Sequence, residues 1–298
     1  MMSPFGPYLH RAIKSTVPEV ILRKALSLLP RRWVIRYREL GHSLCFAVYP
    51  RDGGDFKLLF RHESEARNEL AHCVAPGDVV LDIGAHHGLY TLLLSRLVGE
   101  SGRVHAFEPH PSNVEKLREN IELNGMANVV VNELAVSKKR GVSLFNYGNS
   151  STVSSLKELS KQRDDWHEVQ TVSVDEYVRA AGVGRVSFVK IDVEGAEDWV
   201  LAGMEAILAR DCPTLLLEFH SFAFGDDARA AAMFDDLFDR RAYTGQILYV
   251  MDVGKYRAGR QRAHVNSHRD LATVTAGAHI VGVLLRPPTR SARGERPC

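Results

Sequence analysis

The chain alternates between short apolar runs and longer stretches whose apolar residues recur at helical spacing. Runs at 79–83, 104–108 and 129–134 are separated by helical patterns at 89–97 and 112–123, and another helix leads from Glu63 to Pro76-Gly77. Strand-length runs alternating with helices predict an α/β domain built on a parallel, doubly wound sheet. The pattern resumes with strands ending at Asp192 and His220, and a helix at 226–240 with late strands near 246–250 and 279–285 finishes a seven-stranded, mostly parallel sheet. Ligands of such a sheet lie beyond the carboxyl ends of its strands at the switch point, where Asp82, Glu108 and Asp192 all fall.

Ahead of this domain the pattern changes. Thr16-Val17-Pro18-Glu19 has the form of a capping box and opens an amphipathic helix to about Leu29, which Pro30 ends. Two short strands at 44–49 and 56–60, joined by the turn-rich Pro50-Arg51-Asp52-Gly53-Gly54-Asp55, predict a hairpin beside the cofactor domain. The expected organisation is a basic N-terminal helix-and-hairpin extension over 1–62, one α/β domain over 63–286, and an arginine-bearing tail over 287–298 without fixed structure. Residues 146–166 are polar and serine-rich, which suits a loop over the active site.

Composition narrows the picture. With 298 residues, 45% hydrophobic and 25% charged, the chain has globular proportions. A net charge of +2 argues against a protein that coats nucleic acid. The basic residues cluster in the first forty positions, so the N-terminal helix suits either an anionic membrane surface or packing on the domain or a second subunit. No apolar run approaches the ~18 residues of a spanning helix, and the expected location is the cytoplasm. The cysteines Cys45, Cys73, Cys212 and Cys298 form no C-x-x-C pair and read as reduced thiols without a function. Oligomeric state is not legible.

The chemistry begins at Asp82-Ile83-Gly84-Ala85-His86-His87-Gly88, an apolar strand running into a glycine-punctuated turn and a helix. Glu108 ends the next strand, and an acid there can take both hydroxyls of a ribose. The loop is not a dinucleotide fingerprint, because His86 stands where a glycine would make room for a pyrophosphate. Asp82 would repel a pyrophosphate but accept a hydrogen bond from an ammonium group. A nucleoside carrying a cation fits, and S-adenosylmethionine is such a molecule. Two other readings are a non-catalytic module that binds the same nucleoside, disfavoured because Asp82, the loop glycines and Glu108 are all kept, and a nicotinamide-dependent oxidoreductase, which fails at His86.

Taken in order, D-I-G-A-x-x-G, F-E-P, E-L-A-V-S and V-K-I-D-V-E-G-A-E between Glu63 and Pro287 resemble the FkbM-type family of S-adenosylmethionine-dependent methyltransferases. The resemblance implies a Rossmann-like, class I methyltransferase-like fold and methylation of a hydroxyl on a small acceptor, a sugar or secondary metabolite. It implies cofactor contacts at Asp82, Gly84, Ala85, Gly88, Glu108 and Ala135. An alcohol is a poor nucleophile while protonated, so a base is expected at the strand ends. Asp192 is the first candidate, His220 the alternative because of its ordinary pKa near ~6.5, and Glu194 a residue that orients the acceptor. His86 and His87 shape the loop, and Lys190 pairs with a neighbouring carboxylate. Asp192, Glu194, Glu218 and His220 would suit an octahedral magnesium or manganese ion, but they come from two strand ends without a diagnostic spacing, so a metal is not the favoured expectation.

Overall fold

The computed structural model describes residues 32–49, 64–146, 155–157, 166–221, 227–252, 257–267, 269–271 and 280–288. The first element is a hairpin of β1 (Trp33–Glu39) and β2 (His42–Val48), turned at Leu40-Gly41. Next come α1 (Ser64–Cys73), β3 (Val79–Ile83), α2 (Leu89–Val98), β4 (Arg103–Phe107), α3 (Pro111–Leu123) and β5 (Val129–Asn132). A separate set of strands follows: β6 (Ala135–Val136), β7 (Gly141–Asn146), β8 (Ser155–Lys157) and β9 (Trp166–Val172). The second half contains α4 (Val174–Ala180), β10 (Phe188–Ile191), α5 (Glu197–Ala202), α6 (Glu205–Asp211) and β11 (Thr214–His220). Last are α7 (Asp227–Asp235), continued by a π-helical turn at Asp236–Arg240, then β12 (Thr244–Asp252), β13 (Arg257–Val265) and β14 (Ile280–Arg286).

The main sheet has the order β13-β12-β14-β11-β10-β3-β4-β5. Strands β5, β4, β3, β10 and β11 run parallel, while β14, β12 and β13 are added antiparallel. The expected mostly parallel sheet is present, with eight strands rather than seven because β13 extends the edge beyond β12. Strand order reverses between β3 and β10, successive strands being added outward to either side, which opens the crevice where such sheets hold ligands.

Both sheet faces are covered. Along β3, Leu81 and Ile83 enter one apolar cluster with Val189, Ile191 and Met204. The alternate residue Val80 enters the opposite cluster with Phe188, Leu216 and the α2 leucines. This period of two within a mostly apolar strand is what a two-sided burial demands. The hairpin is part of the same core, since Leu44, Phe46 and Val48 pack in the second cluster. Its backbone is also satisfied from a helix. Asn120 Oδ1 accepts from Ala47 N at 2.7 Å, and Asn124 bonds both Cys45 N (2.8 Å) and Cys45 O (2.7 Å). Spaced four apart on α3, the two amides share one face and stand in for a neighbouring strand.

Several expectations change here. The strand at 42–48 pairs with the residues before it, 33–39, while its expected partner 56–60, the helix 16–29 and the tail beyond 288 lie outside the described residues. The hairpin, within the expected extension over 1–62, packs Leu44, Phe46 and Val48 into the core of the domain. Strand β8 interrupts the expected 146–166 loop and joins a second sheet of order β6-β9-β7-β8. Cys45 and Cys73 are free thiols.

Gly84 is where the β3 and β10 ends meet. Its φ is +80°, and a Cβ there would lie 1.8 Å from the carbonyl oxygen of Asp192. Neither the conformation nor the space admits a side chain. Gly84→Ala is expected to destabilise the protein by about 2–4 kcal/mol through overlap and left-handed strain. Urea denaturation measures this, and a loss below 1 kcal/mol, well under that ~2–4 kcal/mol range, would show that the strand ends separate at little cost.

Candidate active site

The loop after β3 is fixed to β4 by its own backbone. Gly84 N and Ala85 N both donate to Phe107 O, at 3.0 and 2.9 Å, and Gly88 N donates back to Ala85 O at 2.8 Å. Gly88, at φ +92°, starts α2 where a Cβ would strike the Leu117 side chain at 2.5 Å. The expected loop contacts Gly84, Ala85 and Gly88 therefore shape the site, and their N–H groups are committed within the loop. His86 has a positive φ of 51° and aims its N–H at Glu108 Oε2, 2.9 Å away. His87 is wholly buried and stacked on His86, with Nε2 3.1 Å from Asn113 Oδ1. Both histidines hold the loop shape expected of them.

Glu108 is buried at 5% exposure and accepts three donors: His86 N, His110 N at 2.9 Å and Asn113 Nδ2 at 3.2 Å. A carboxylate offers about four acceptor positions, so one remains, on Oε2. Gripping both hydroxyls of a ribose would require Asn113, the longest of the three bonds, to swing away. Burial pushes the Glu108 carboxyl up to about 7, against the pull of the His110 and His86 N–H groups.

Asp82 is fully buried at the end of β3. Its Oδ2 accepts from Thr91 Oγ1 at 2.6 Å, while Oδ1 has no hydrogen-bond partner among the described residues and lies 3.8 Å from Lys190 Nζ. Burial raises its pKa, and Lys190 and Thr91 oppose the rise. Lys190 faces Asp82 across the β10–β3 register and donates to Gly84 O and Asp192 Oδ2, each at 3.1 Å, so the expected carboxylate pairing is met. A buried acceptor lacking a donor, beside a second acid with one open position, fits a ligand carrying an ammonium and a ribose hydroxyl.

The ends of β10 and β11 bring the remaining acids together. Asp192 follows β10, and Glu194 takes a left-handed φ of 54° before Gly195, which turns its side chain toward β11. His220, at the end of β11, is wholly buried. Its Nδ1 lies 2.9 Å from Glu197 Oε1, and its Nε2 lies 3.3 Å from Glu194 Oε2, 3.6 Å from Glu218 Oε1 and 3.9 Å from Asp192 Oδ1. Burial alone would lower the imidazole pKa, but Glu194, Glu197 and Glu218 outweigh it and hold the pKa well above 6.5. These acids favour the charged imidazolium, the opposite of what a resting base needs. Ala135 lies in β6, packed with Phe145, Val169 and Ala196, with Val193 of the loop after β10 against the same cluster. Thr91, Asn113 and Tyr249, whose hydroxyl bonds Glu218, escaped the sequence reading, since a polar residue inside a helix or strand carries no signal until its partner is known.

A doubly wound sheet with a ribose-type acid after β4 and acids at the tips of β3, β10 and β11 defines a nucleoside-cofactor enzyme of the methyltransferase type. The model of the Methyltransferase FkbM domain matches residues 82–251, and the chain belongs to this family of S-adenosylmethionine-dependent methyltransferases. It is similar to the 31-O-demethyl-FK506 methyltransferase FkbM of Streptomyces tacrolimicus, 30% identical over 52% of this chain and 70% of the relative. It is also similar to the hexuronic acid methyltransferase AglP of Haloferax volcanii, 28% identical over 54% of this chain and 64% of the relative. A solved FkbM methyltransferase from Methylobacillus flagellatus overlaps 78% of this chain and 53% of its own, with a TM-score of 0.42 and 13% identity. The fold assignment rests on the strand order and the family match, not on that overlap. No helix among the described residues is long and apolar enough to cross a membrane.

Glu108 gives the site a pH dependence. Its folded pKa of about 7 exceeds the ordinary 4.5, so the stability it contributes is present below 4.5 and lost as pH rises through about 7. Ligand binding runs the opposite way, because the ionised form is the better acceptor. The affinity for S-adenosylhomocysteine is expected to strengthen toward pH 8, weakening up to about tenfold per unit below 7. Calorimetry from pH 6 to 8 tests this, and an equally steep profile in Glu108→Gln would assign it to another group.

Proposed function

We propose that this protein is an O-methyltransferase acting on a small hydroxylated acceptor, a sugar or secondary metabolite. The observation that carries the reading is the meeting of Asp192, Glu194 and Glu218 at the β10 and β11 tips, beside the acids of the cofactor crevice. Bound S-adenosylmethionine supplies a methyl group on a sulfonium, an electrophile open to direct displacement. Asp82 would accept from its ammonium group and Glu108 from its ribose, as their open acceptor positions allow.

The protein's own task is to present an oxygen in line and relieve it of a proton. Asp192 is suited to this, since its side chain is 28% exposed, the most accessible of the four carboxylates around His220. Lys190 holds Oδ2 and leaves Oδ1 toward the acceptor side. Glu194, at 23% exposure, is placed to accept from a second hydroxyl and so set the acceptor's orientation. The names of two relatives support an oxygen acceptor, one giving a 31-O-demethyl substrate and the other a hexuronic acid. The cytoplasm as location, and a small molecule rather than nucleic acid as partner, remain part of this proposal.

Asp192→Asn is expected to bind S-adenosylmethionine as the wild type does and to lower turnover by about 10²–10⁴-fold. Calorimetric titration with S-adenosylmethionine, S-adenosylhomocysteine and NAD, followed by methyl transfer to a panel of sugars and hydroxy acids, checks both statements. Unchanged turnover in Asp192→Asn removes it from the mechanism, and binding of NAD alone removes the methyltransferase reading.

A further inference from the structure

The turn that carries Asp192 and Glu194 is held at both ends. At its start, Asp192 N donates to Ile83 O at 3.0 Å, and Lys190 donates to Asp192 Oδ2 at 3.1 Å. At its far end Glu194 and Gly195 are both left-handed, with φ of 54° and 101°, and the N–H of Gly195 donates to Glu197 Oε1 at 3.0 Å. Two successive left-handed residues change the chain's direction sharply, and such a conformation persists in a residue with a side chain only where the surroundings over-determine it. Glu197 is part of those surroundings.

The same oxygen of Glu197 faces the end of β11. It lies 2.9 Å from His220 Nδ1, and both residues are wholly buried. The opposite ring nitrogen, Nε2, then stands 3.3 Å from Glu194 Oε2 and 3.9 Å from Asp192 Oδ1. One carboxylate thus bears on the backbone of the turn directly, and on the side chains the turn presents through the imidazole. A ring with one nitrogen engaged by a buried carboxylate has its orientation set, and its other nitrogen is aimed.

Stability alone does not call for this arrangement. Glu197 opens α5, where an exposed acid would already be favoured by the helix dipole. Its carboxylate is instead turned out of solvent with both contacts on Oε1, while Oε2 is buried without a hydrogen-bond partner among the described residues. A buried carboxylate left half satisfied is destabilising, and replacing a buried ion pair by apolar residues of similar volume is often neutral or stabilising. Local rules are broken in this way where a neighbouring site needs the group.

We propose that Glu197 is a positioning residue of the methyl transfer: by holding the Gly195 N–H and the His220 ring together it sets where Asp192 and Glu194 stand before the acceptor, an inference that rests on the methyltransferase reading. Glu197 itself touches neither acceptor nor cofactor and acts through the turn and the imidazole. A misplacement of about 1 Å is enough to lower turnover by ~10²-fold. A change at Glu197 that preserves its size is therefore felt in the chemical step and not in cofactor binding.

Glu197→Gln keeps an oxygen for Gly195 N but removes the charge that engages the imidazole. In the full chain it is expected to lower kcat, on an acceptor from the panel of sugars and hydroxy acids, by about 10²-fold. The KM for S-adenosylmethionine, the affinity for S-adenosylhomocysteine and the thermal midpoint are kept. Glu197→Asp, with the charge one methylene short, is expected to fold and to lose less, about tenfold. Proton–nitrogen correlation NMR of the ring, with His220 assigned by its absence from His220→Gln, reads the contact without any acceptor: a protonated Nδ1 is expected in the wild type, with its signal moved in Glu197→Gln. Unchanged turnover in Glu197→Gln, or ring signals that do not respond to it, overturns the proposal. A parallel fall of turnover, S-adenosylhomocysteine affinity and thermal midpoint in both Glu197 variants also overturns it, by assigning Glu197 to the fold alone. A wild type that binds no S-adenosylhomocysteine refutes the methyltransferase reading itself, a result distinct from each of these.

Discussion

The buried ammonium of Lys190 joins the parts of this site. It sits in the β10 strand with its Nζ at the switch point, bonded to Gly84 O and Asp192 Oδ2 and 3.8 Å from Asp82 Oδ1, over the Tyr90 ring. The cofactor loop and the acidic loop approach so closely that Gly84 has no room for a Cβ against Asp192 O. Two carboxylates brought that near one another in a dry crevice would repel, and a cation between them converts the repulsion into attraction. Lysine serves here because a strand residue needs a long stem to carry a charge from mid-strand to the strand tip.

The parallel centre of the fold was legible because its strands are buried on both faces and read as unbroken apolar runs. The rest obeyed weaker signals. Strand β1, Trp33-Val34-Ile35-Arg36-Tyr37-Arg38-Glu39, alternates apolar and polar residues, but its arginines drew attention to charge instead of pairing. The partner that β2 has in β1, across the two-residue turn Leu40-Gly41, was therefore not read from the sequence. Strands β7 and β9 form a small sheet whose exposed residues interrupt the apolar pattern, and β13 is an arginine-bearing edge strand, a place where charge is tolerated and hydrophobicity is a poor guide.

The site was legible as a set of residues and illegible as an environment. Asp82, Glu108, Asp192 and His220 all end apolar strands, and a strand ending in an acid or a histidine at a switch point is visible in the sequence. What surrounds them is assembled from distant positions. Thr91 reaches Asp82 from α2, Asn113 reaches Glu108 from α3, and Glu197 reaches His220 from α5. His220 shows the consequence: an ordinary imidazole pKa made it a candidate base, whereas the convergence of Glu194, Glu197 and Glu218 pushes its pKa upward.

The distribution of charge also bears on why the acids are treated differently. Methyl transfer removes a positive charge from the donor, so naked carboxylates beside the sulfonium would stabilise the starting state more than the transition state and slow the step. On the donor side the structure blunts its acids: Glu108 accepts three N–H donors, and Asp82 is answered by Thr91 and Lys190. At the tips of β10 and β11 the acids are instead left concentrated around one imidazole, where the local field is strongly negative. Lys190 stands at the boundary, and its position lets one crevice keep a subdued field at the methyl group and a strong one a few ångströms away.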